Sequence, residues 1–158
     1  MAFDVYAYSG IDFVVDLTGY FSAAPSDANG AGLAYYPLTA PIRLLDTRPG
    51  QPACLAPGAP LLVGAPATVD ARRPCRGNPA GAGAIAGNGT VVNGGTTAGY
   101  VTLWPSATPR PVVSNLNYGG GQIVANAFTV GLGGDGAFAL YAYSTVDFVV
   151  DVVGCYAP

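Results

Sequence analysis

Apolar and polar side chains alternate over two stretches near the start of the chain, residues 3–8 and 11–17, as expected of half-buried β-strands. Both stretches are rich in β-branched and aromatic residues, and the Ser9-Gly10 pair between them is typical of a tight turn. The pattern therefore predicts an N-terminal β-hairpin over residues 3–21.

Nearly the same sequence closes the chain. Residues 138–156 match residues 3–21 without a gap, 135 positions further on, and 11 of the 19 aligned residues are identical. Self-similarity at a fixed offset is the mark of a repeat array. We interpret the first copy as the tail of one repeat unit and residues 35–158 as a complete unit. A second hairpin is predicted from strands over residues 138–143 and 147–153.

The region between the two copies predicts many short strands. Residues 22–34 are mostly Ser, Ala, Pro, Asp, Asn and Gly, which favours a linker. Further strand candidates, separated by Gly-, Pro- and Asn-rich turns, cover residues 84–86, 90–93, 100–104, 112–117 and 123–130. This spacing, without a helical stretch, predicts an all-β fold: a β-sandwich or barrel-like domain of short antiparallel strands with an additional N-terminal β-hairpin.

Composition limits the partners. Charged residues make up 9% of the chain, with six Arg, nine Asp, no Lys, Glu or His, and a net charge of −3. This argues against nucleic acid as a partner, since phosphate binding needs clustered basic residues. The one basic cluster, Arg72, Arg73 and Arg76, is interpreted as an exposed loop. No apolar run approaches the ~18 residues of a membrane span, so no membrane insertion is predicted.

The same composition leaves little room for catalysis. Without histidine, a Ser-His-Asp or Cys-His arrangement is impossible. Paired carboxylates remain, but Asp12 and Asp16, like Asp147 and Asp151, stand four residues apart on a strand, which is about 13 Å. Glycosidase pairs need about 5–9.5 Å. We predict no enzymatic activity, no metal and no cofactor, and interpret these acids as a solvated face that limits uncontrolled strand pairing.

One charge cluster indicates a structural role. In the segment RLLDTR, Asp46 lies between Arg43 and Arg48 in a chain that is otherwise poor in charge. Carboxylates and guanidinium groups form strong, often bidentate hydrogen bonds. We predict an ion-pair cluster that holds a turn, with Asp46 at least partly buried.

Four motifs in a fixed order carry a family resemblance. They are APIRLLDTR at 40–48, GYVTLWP at 99–105, SNLNYGGGQIVAN at 114–126 and VVDVVG at 149–154. Together they resemble repeat modules found, often in tandem, in secreted and wall-associated bacterial proteins, over roughly residues 35–156 and the partial copy at 3–21. The resemblance implies an extracellular or cell-surface, all-β, non-catalytic module. The chain departs from the pattern at Cys155, where the first copy has Tyr20.

The exported character that the resemblance implies bears on the cysteines. Cys54 and Cys75 bracket a proline-rich, irregular stretch, and we predict a disulfide between them. It would close a loop of about 22 residues, contributing on the order of 3 kcal/mol. Cys155 is then either buried or available for a bond between chains. Asn88-Gly-Thr90 is a formal glycosylation sequon, interpreted as a chance occurrence.

The repeated segment leads to a hypothesis about function. An isolated hairpin is at best marginal in water, and the second copy already fills the corresponding place in its own unit. We therefore expect the first copy to dock on a neighbouring protomer and to propagate head-to-tail self-assembly into a filament, sheath or surface array. The predicted interface residues are Phe3, Val5, Tyr6, Tyr8, Phe13, Val15 and Leu17.

A binding function is the alternative. The chain would then be an extracellular adhesion or carbohydrate-binding module with a cell-surface glycan as partner. Tyr6, Tyr8, Tyr141 and Tyr143 would form an aromatic platform for sugar, although alternating tyrosines more often pack on a neighbouring sheet.

Overall fold

The computed structural model describes residues 4, 6, 9, 10, 12, 14–17, 19, 20, 26, 27, 30–72 and 81–158. These residues contain ten β-strands and no helix, and hence none that could cross a membrane. The strands are β1 (Ser26–Asp27), β2 (Gly30–Ala31), β3 (Ala34–Asp46), β4 (Ala67–Asp70), β5 (Ala84–Val92), β6 (Gly99–Pro105), β7 (Leu116–Tyr118), β8 (Ile123–Gly131), β9 (Ala137–Ala142) and β10 (Asp147–Ala157).

Eight of these strands form two four-stranded antiparallel sheets. One sheet has the order β3-β10-β5-β8 and the other the order β4-β9-β6-β7. The two sheets pack against each other as a β-sandwich, which confirms the predicted all-β class. The sheets remain separate, so the fold is a sandwich rather than a barrel.

The core lies between the two sheets and is built from alternating strand positions. Ile85, Phe148 and Val150 reach it from one sheet, and Phe138 and Leu140 from the other, all with no exposed surface. Burying side chains of this size contributes roughly 1.5–3 kcal/mol each. The largest fully buried side chains of the core therefore include residues of β5, β9 and β10.

Two glycines in β5 make room for aromatic rings. The prediction of separate strands at 84–86 and 90–93 is wrong, because β5 runs unbroken through Gly87 and Gly89. A Cβ on Gly87 would lie 2.9 Å from the Phe128 ring and 2.5 Å from the Asp151 carbonyl oxygen, and one on Gly89 would lie 2.8 Å from the Phe148 ring. Glycine here marks close packing rather than a turn.

The Gly87→Ala variant should be destabilised by about 1–3 kcal/mol, because the new methyl group meets backbone that cannot move away. Gly94→Ala is the matched control, since a Cβ there meets nothing within 4 Å. That control should change the free energy of unfolding by less than about 0.5 kcal/mol. Chemical denaturation measures both, and equal losses would contradict the packing account.

The closing hairpin predicted from residues 138–143 and 147–153 is wrong. The two strands exist as β9 and β10, but β9 pairs with β4 and β6 while β10 pairs with β3 and β5, so they belong to different sheets. Alternation shows that each stretch is a strand, but it does not specify the neighbour. Burial along nearly every position of both strands fits their central places in the two sheets.

Other strands also differ from the prediction. β3 and β4 were not among the predicted strands, and β3 begins at the end of the predicted linker. Of the strand predicted over residues 112–117, only the end is strand, because side chains hold the rest. The Thr102 hydroxyl donates to the Val113 carbonyl at 2.7 Å, and the Leu103 N–H donates to Asn115 Oδ1, also at 2.7 Å.

Eight of the 19 residues of the predicted N-terminal hairpin lie outside the described residues. Those described between residues 4 and 20 lie in no strand, so the hairpin stays a prediction. Within the predicted linker, β1 and β2 pair antiparallel, with Ser26 opposite Ala31 and Asp27 opposite Gly30.

Candidate assembly site

The place occupied by β9 and β10, here called the strand-pair position, lies at the centre of both sheets. β10 is flanked by β3 and β5, and β9 by β4 and β6. The core-facing side chains of the pair are at most 2% exposed: Phe138, Leu140, Ala142, Val146, Phe148, Val150 and Val152. Both sheets would lose their continuity if this position were empty.

Polar contacts fix β10 to the end of β3. Arg43 donates to both carboxylate oxygens of Asp151, from Nε at 2.9 Å and from Nη2 at 3.2 Å. The Thr47 hydroxyl donates to Asp147 Oδ1 at 2.8 Å and accepts the Phe148 N–H at 2.8 Å. The interpretation of Asp147 and Asp151 as a merely solvated face is therefore wrong, because both hold the strand in register.

Two further contacts fix the ends of the strand pair. Ser144 follows β9, and its Oγ lies 2.9 Å from the buried hydroxyl of Tyr118. Gly154 in β10 lies under Tyr35, where a Cβ would come within 2.5 Å of the tyrosine ring. A serine thus fits the first position by hydrogen bonding, and a glycine fits the second by shape.

The three residues of the predicted charge cluster lie together beside this position. Asp46 has no exposed surface. It accepts from Arg48 Nη2 at 2.7 Å, from Arg48 Nε at 3.0 Å and from the Arg48 N–H at 3.1 Å, and Arg43 Nη1 lies 3.5 Å away. Hydrogen bonding from Arg48 holds the pKa of Asp46 below its ordinary value. Arg43 therefore joins the buried Asp46 to Asp151 on β10.

Asp46→Asn should lower the free energy of unfolding by about 2–4 kcal/mol at neutral pH, because it removes the charge that both guanidinium groups face. The arginine side chains remain 40% and 34% exposed, so water compensates for part of the loss. Since the folded-state pKa of Asp46 is lowered, its contribution is complete above the ordinary carboxyl pKa and is lost as the pH falls below it.

The difference in the free energy of unfolding between the wild-type chain and Asp46→Asn should therefore become smaller below about pH 4. Denaturation curves at several pH values measure it, with Asp4→Asn as the control at an exposed carboxylate. A gap that is small at neutral pH or that widens in acid would show that the buried charge does not stabilise the turn.

The first copy of the repeated segment retains the residues that make these contacts. The anchors Ser144, Asp147, Asp151 and Gly154 correspond to Ser9, Asp12, Asp16 and Gly19, which are identical. The counterparts of the seven core-facing residues are all apolar: Phe3, Val5, Ala7, Ile11, Phe13, Val15 and Leu17. The chain thus carries two segments suited to one position.

Of the predicted interface residues, Tyr6, Val15 and Leu17 are 88%, 56% and 84% exposed. Phe3, Val5, Tyr8 and Phe13 lie outside the described residues. The described apolar side chains of the first copy are therefore not buried on the sandwich. Such side chains are expected to seek another surface.

The free edges of the sandwich are unequal. β4 and β7 are short, and β3 contains Pro37 and Pro41, which lack the N–H group that an added strand would need. β8 has nine residues with neither proline nor charge, and Ile123 at its start is 73% exposed. β8 is thus the one long edge strand without proline or charge among the described strands.

A groove runs along this edge. Its walls are residues 110–117 on one side and Val124, Ala125 and Asn126 of β8 on the other, and Val14 and Asp16 of the first copy also line it. We call it the edge groove. Its lining combines apolar side chains, such as Val112 and Val124, with the amides of Asn115, Asn117 and Asn126.

Aromatic side chains stand at one end of the edge groove. Tyr100 and Tyr143 stack with ring centroids 5.4 Å apart, and the Arg110 guanidinium lies 3.9 Å from the centre of the Tyr141 ring. Tyr143 is 51% exposed. Tyr141 and Tyr143 were predicted from the sequence as part of an aromatic platform. Tyr100 was not, and the pairing of β6 with β9 brings it beside them.

The cysteines and the sequon are placed as follows. Cys155 is a free thiol, 1% exposed, and burial raises its pKa. Cys75 lies outside the described residues, so the disulfide with Cys54 stays a prediction. Asn88 and Thr90 lie in the middle of β5 rather than in a loop.

The described residues hold no group of three or more acidic or cysteine side chains suited to a metal ion. Comparison with protein-family models and with curated proteins finds no match for the chain. The resemblance to tandem repeat modules therefore remains an expectation from the motifs alone.

Proposed function

We propose that the protein is an extracellular structural repeat protein that self-assembles head to tail into a filament, sheath or surface array. One observation carries the proposal: the chain has two copies of a strand-forming segment and one strand-pair position in its sandwich. The copy outside that position exposes Tyr6, Val15 and Leu17. Docking on a neighbouring chain would bury these side chains and repeat from protomer to protomer.

The edge groove is the receiving surface in this proposal. β8 can pair with one strand of the docked copy by β-augmentation, in which backbone hydrogen bonds supply affinity and side chains supply register. Val124 and the exposed Ile123 would meet the apolar side chains of that strand. The prolines of β3 discourage the same pairing at the opposite edge, which gives the assembly a direction.

Replacing two apolar residues of the first copy, Phe13→Asp together with Val15→Asp, should abolish assembly because charges would enter the buried contact. The intact chain should elute as large oligomers and show fibres or sheets by negative-stain microscopy, whereas the double variant should be monomeric and folded. Val63→Asp adds charge at a residue that is 61% exposed and does not line the edge groove, and it serves as the control.

Assembly that is unaffected by the double substitution would rule out docking through the first copy. A monodisperse intact chain that is retained on a glycan array would favour the second function instead. That function is carbohydrate binding, supported by the stacked Tyr100 and Tyr143 beside the Arg110–Tyr141 contact. Exposed aromatic faces of this kind suit the apolar faces of sugar rings.

An extracellular location accords with the proposed disulfide between Cys54 and Cys75. Two observations support this disulfide: Cys54 is not a free thiol, and Cys155 is buried and free. Thiol titration of the denatured, unreduced protein should find one free thiol, and three would contradict the pairing. Reduction should lower the midpoint of thermal unfolding. In the control variant Cys155→Ser, the difference in midpoint between the oxidised and the reduced protein should be the same as in the wild-type chain.

A further inference from the structure

We propose that the first copy, residues 3–21, is an alternative occupant of the strand-pair position in its own chain and exchanges there with β9–β10. The proposal goes beyond assembly, because the exchange takes place within a monomer. Its consequence is that either end of the chain can become the segment outside the sandwich.

The contacts of the strand-pair position support this occupant. Asp16 would meet Arg43 as Asp151 does, Asp12 would meet Thr47 as Asp147 does, and identical residues also stand at the positions of Ser144 and Gly154. Each anchoring side chain described for β9–β10 thus has an identical counterpart. If the two copies were alike only because both form strands, a serine and a glycine would not be needed at these positions.

The connection to β3 provides a second, independent argument. At the end of β10, Tyr156 lies opposite Tyr35 and Ala157 opposite Ala34. With the first copy in that place, residues 21 and 22 would face the same partners, and the chain would close a hairpin directly onto β3. Antiparallel neighbours lie only about 5 Å apart, so the intervening residues span the gap easily.

The short ladder of β1 and β2 already folds the chain back in this way. It pairs Ser26 with Ala31 and Asp27 with Gly30. The inferred hairpin would place residue 22 opposite residue 34. Ser26 lies four residues after residue 22, and its partner Ala31 lies three residues before residue 34. The ladder therefore continues the inferred hairpin with one extra residue, as a β-bulge allows.

Two differences between the copies set the preference between them. Tyr20 would replace the buried Cys155, and Asp4 would replace Ala139, which is 6% exposed. Both changes disfavour the first copy, since a larger ring and a charge must be accommodated. β9–β10 therefore occupies the position in the structure, and exchange becomes visible when β10 is weakened.

The test uses full-length variants. Phe148→Asp places a charge at a core position with no exposure and disables the second copy, and Phe13→Asp disables the first. Phe148→Asp should keep a cooperative thermal transition, with a midpoint roughly 10 °C lower, whereas the double variant should lose the transition. Phe13→Asp alone should melt like the wild-type chain.

Disulfide trapping locates the segment in the Phe148→Asp background. Val149 lies opposite Thr90, so a cysteine at residue 14, the counterpart of Val149, should bond to one at residue 90. The pair Val14→Cys with Thr90→Cys is compared with Val15→Cys and Thr90→Cys, in which the residue 15 side chain points to the other face. Mass spectrometry of peptides identifies the bond at low micromolar concentration.

An intramolecular bond in the first pair and not in the second is the expected result. The proposal is overturned if Phe148→Asp melts like the double variant, if the double variant keeps its transition, if both cysteine pairs cross-link equally, or if the bond joins two chains. If the chain forms no polymers but the expected intramolecular bond is found, the proposed assembly is refuted and the exchange is not. The two claims can therefore fail separately.

Discussion

The structure depends on one strand pair that belongs to both sheets. β9 and β10 are consecutive in sequence, yet each lies in the middle of a different sheet, and their apolar faces meet in the core. Removing such a pair would leave two smaller sheets with unpaired inner edges, which is far costlier than losing an edge strand. The described residues of the other copy in the same chain lie in no strand and thus outside this position.

The charge network supports the same strand pair. Asp46 is buried at the end of β3, Arg48 closes the turn on it, and Arg43 reaches from Asp46 to Asp151 on β10. A buried charge with partial pairing would be destabilising, so the fully bonded carboxylate fixes one arrangement of β3 against β10. The charged side chains beside the strand-pair position thus fix the register of β10 against β3.

The sequence predicted the strands better than their partners. Alternation located β6, β8, β9 and β10, because each has a core-facing row of apolar residues. The same pattern wrongly divided β5 at Gly87 and Gly89. Glycine is also the typical residue of a turn, so the sequence does not distinguish a turn from a strand position that makes room for the Phe128 or Phe148 ring. Pairing across 100 or more residues, as between Thr47 and Asp147, leaves no local signal, so the roles of these polar residues could not be predicted.

Amide hydrogen exchange of the full chain tests the central claim, that two copies share one structural place. In dilute monomer, peptides from residues 138–156 should be strongly protected while those from 3–21 exchange rapidly, and assembly should slow exchange in 3–21. Strong and equal protection of both segments in the monomer would contradict the account, because the sandwich would then hold both copies at once.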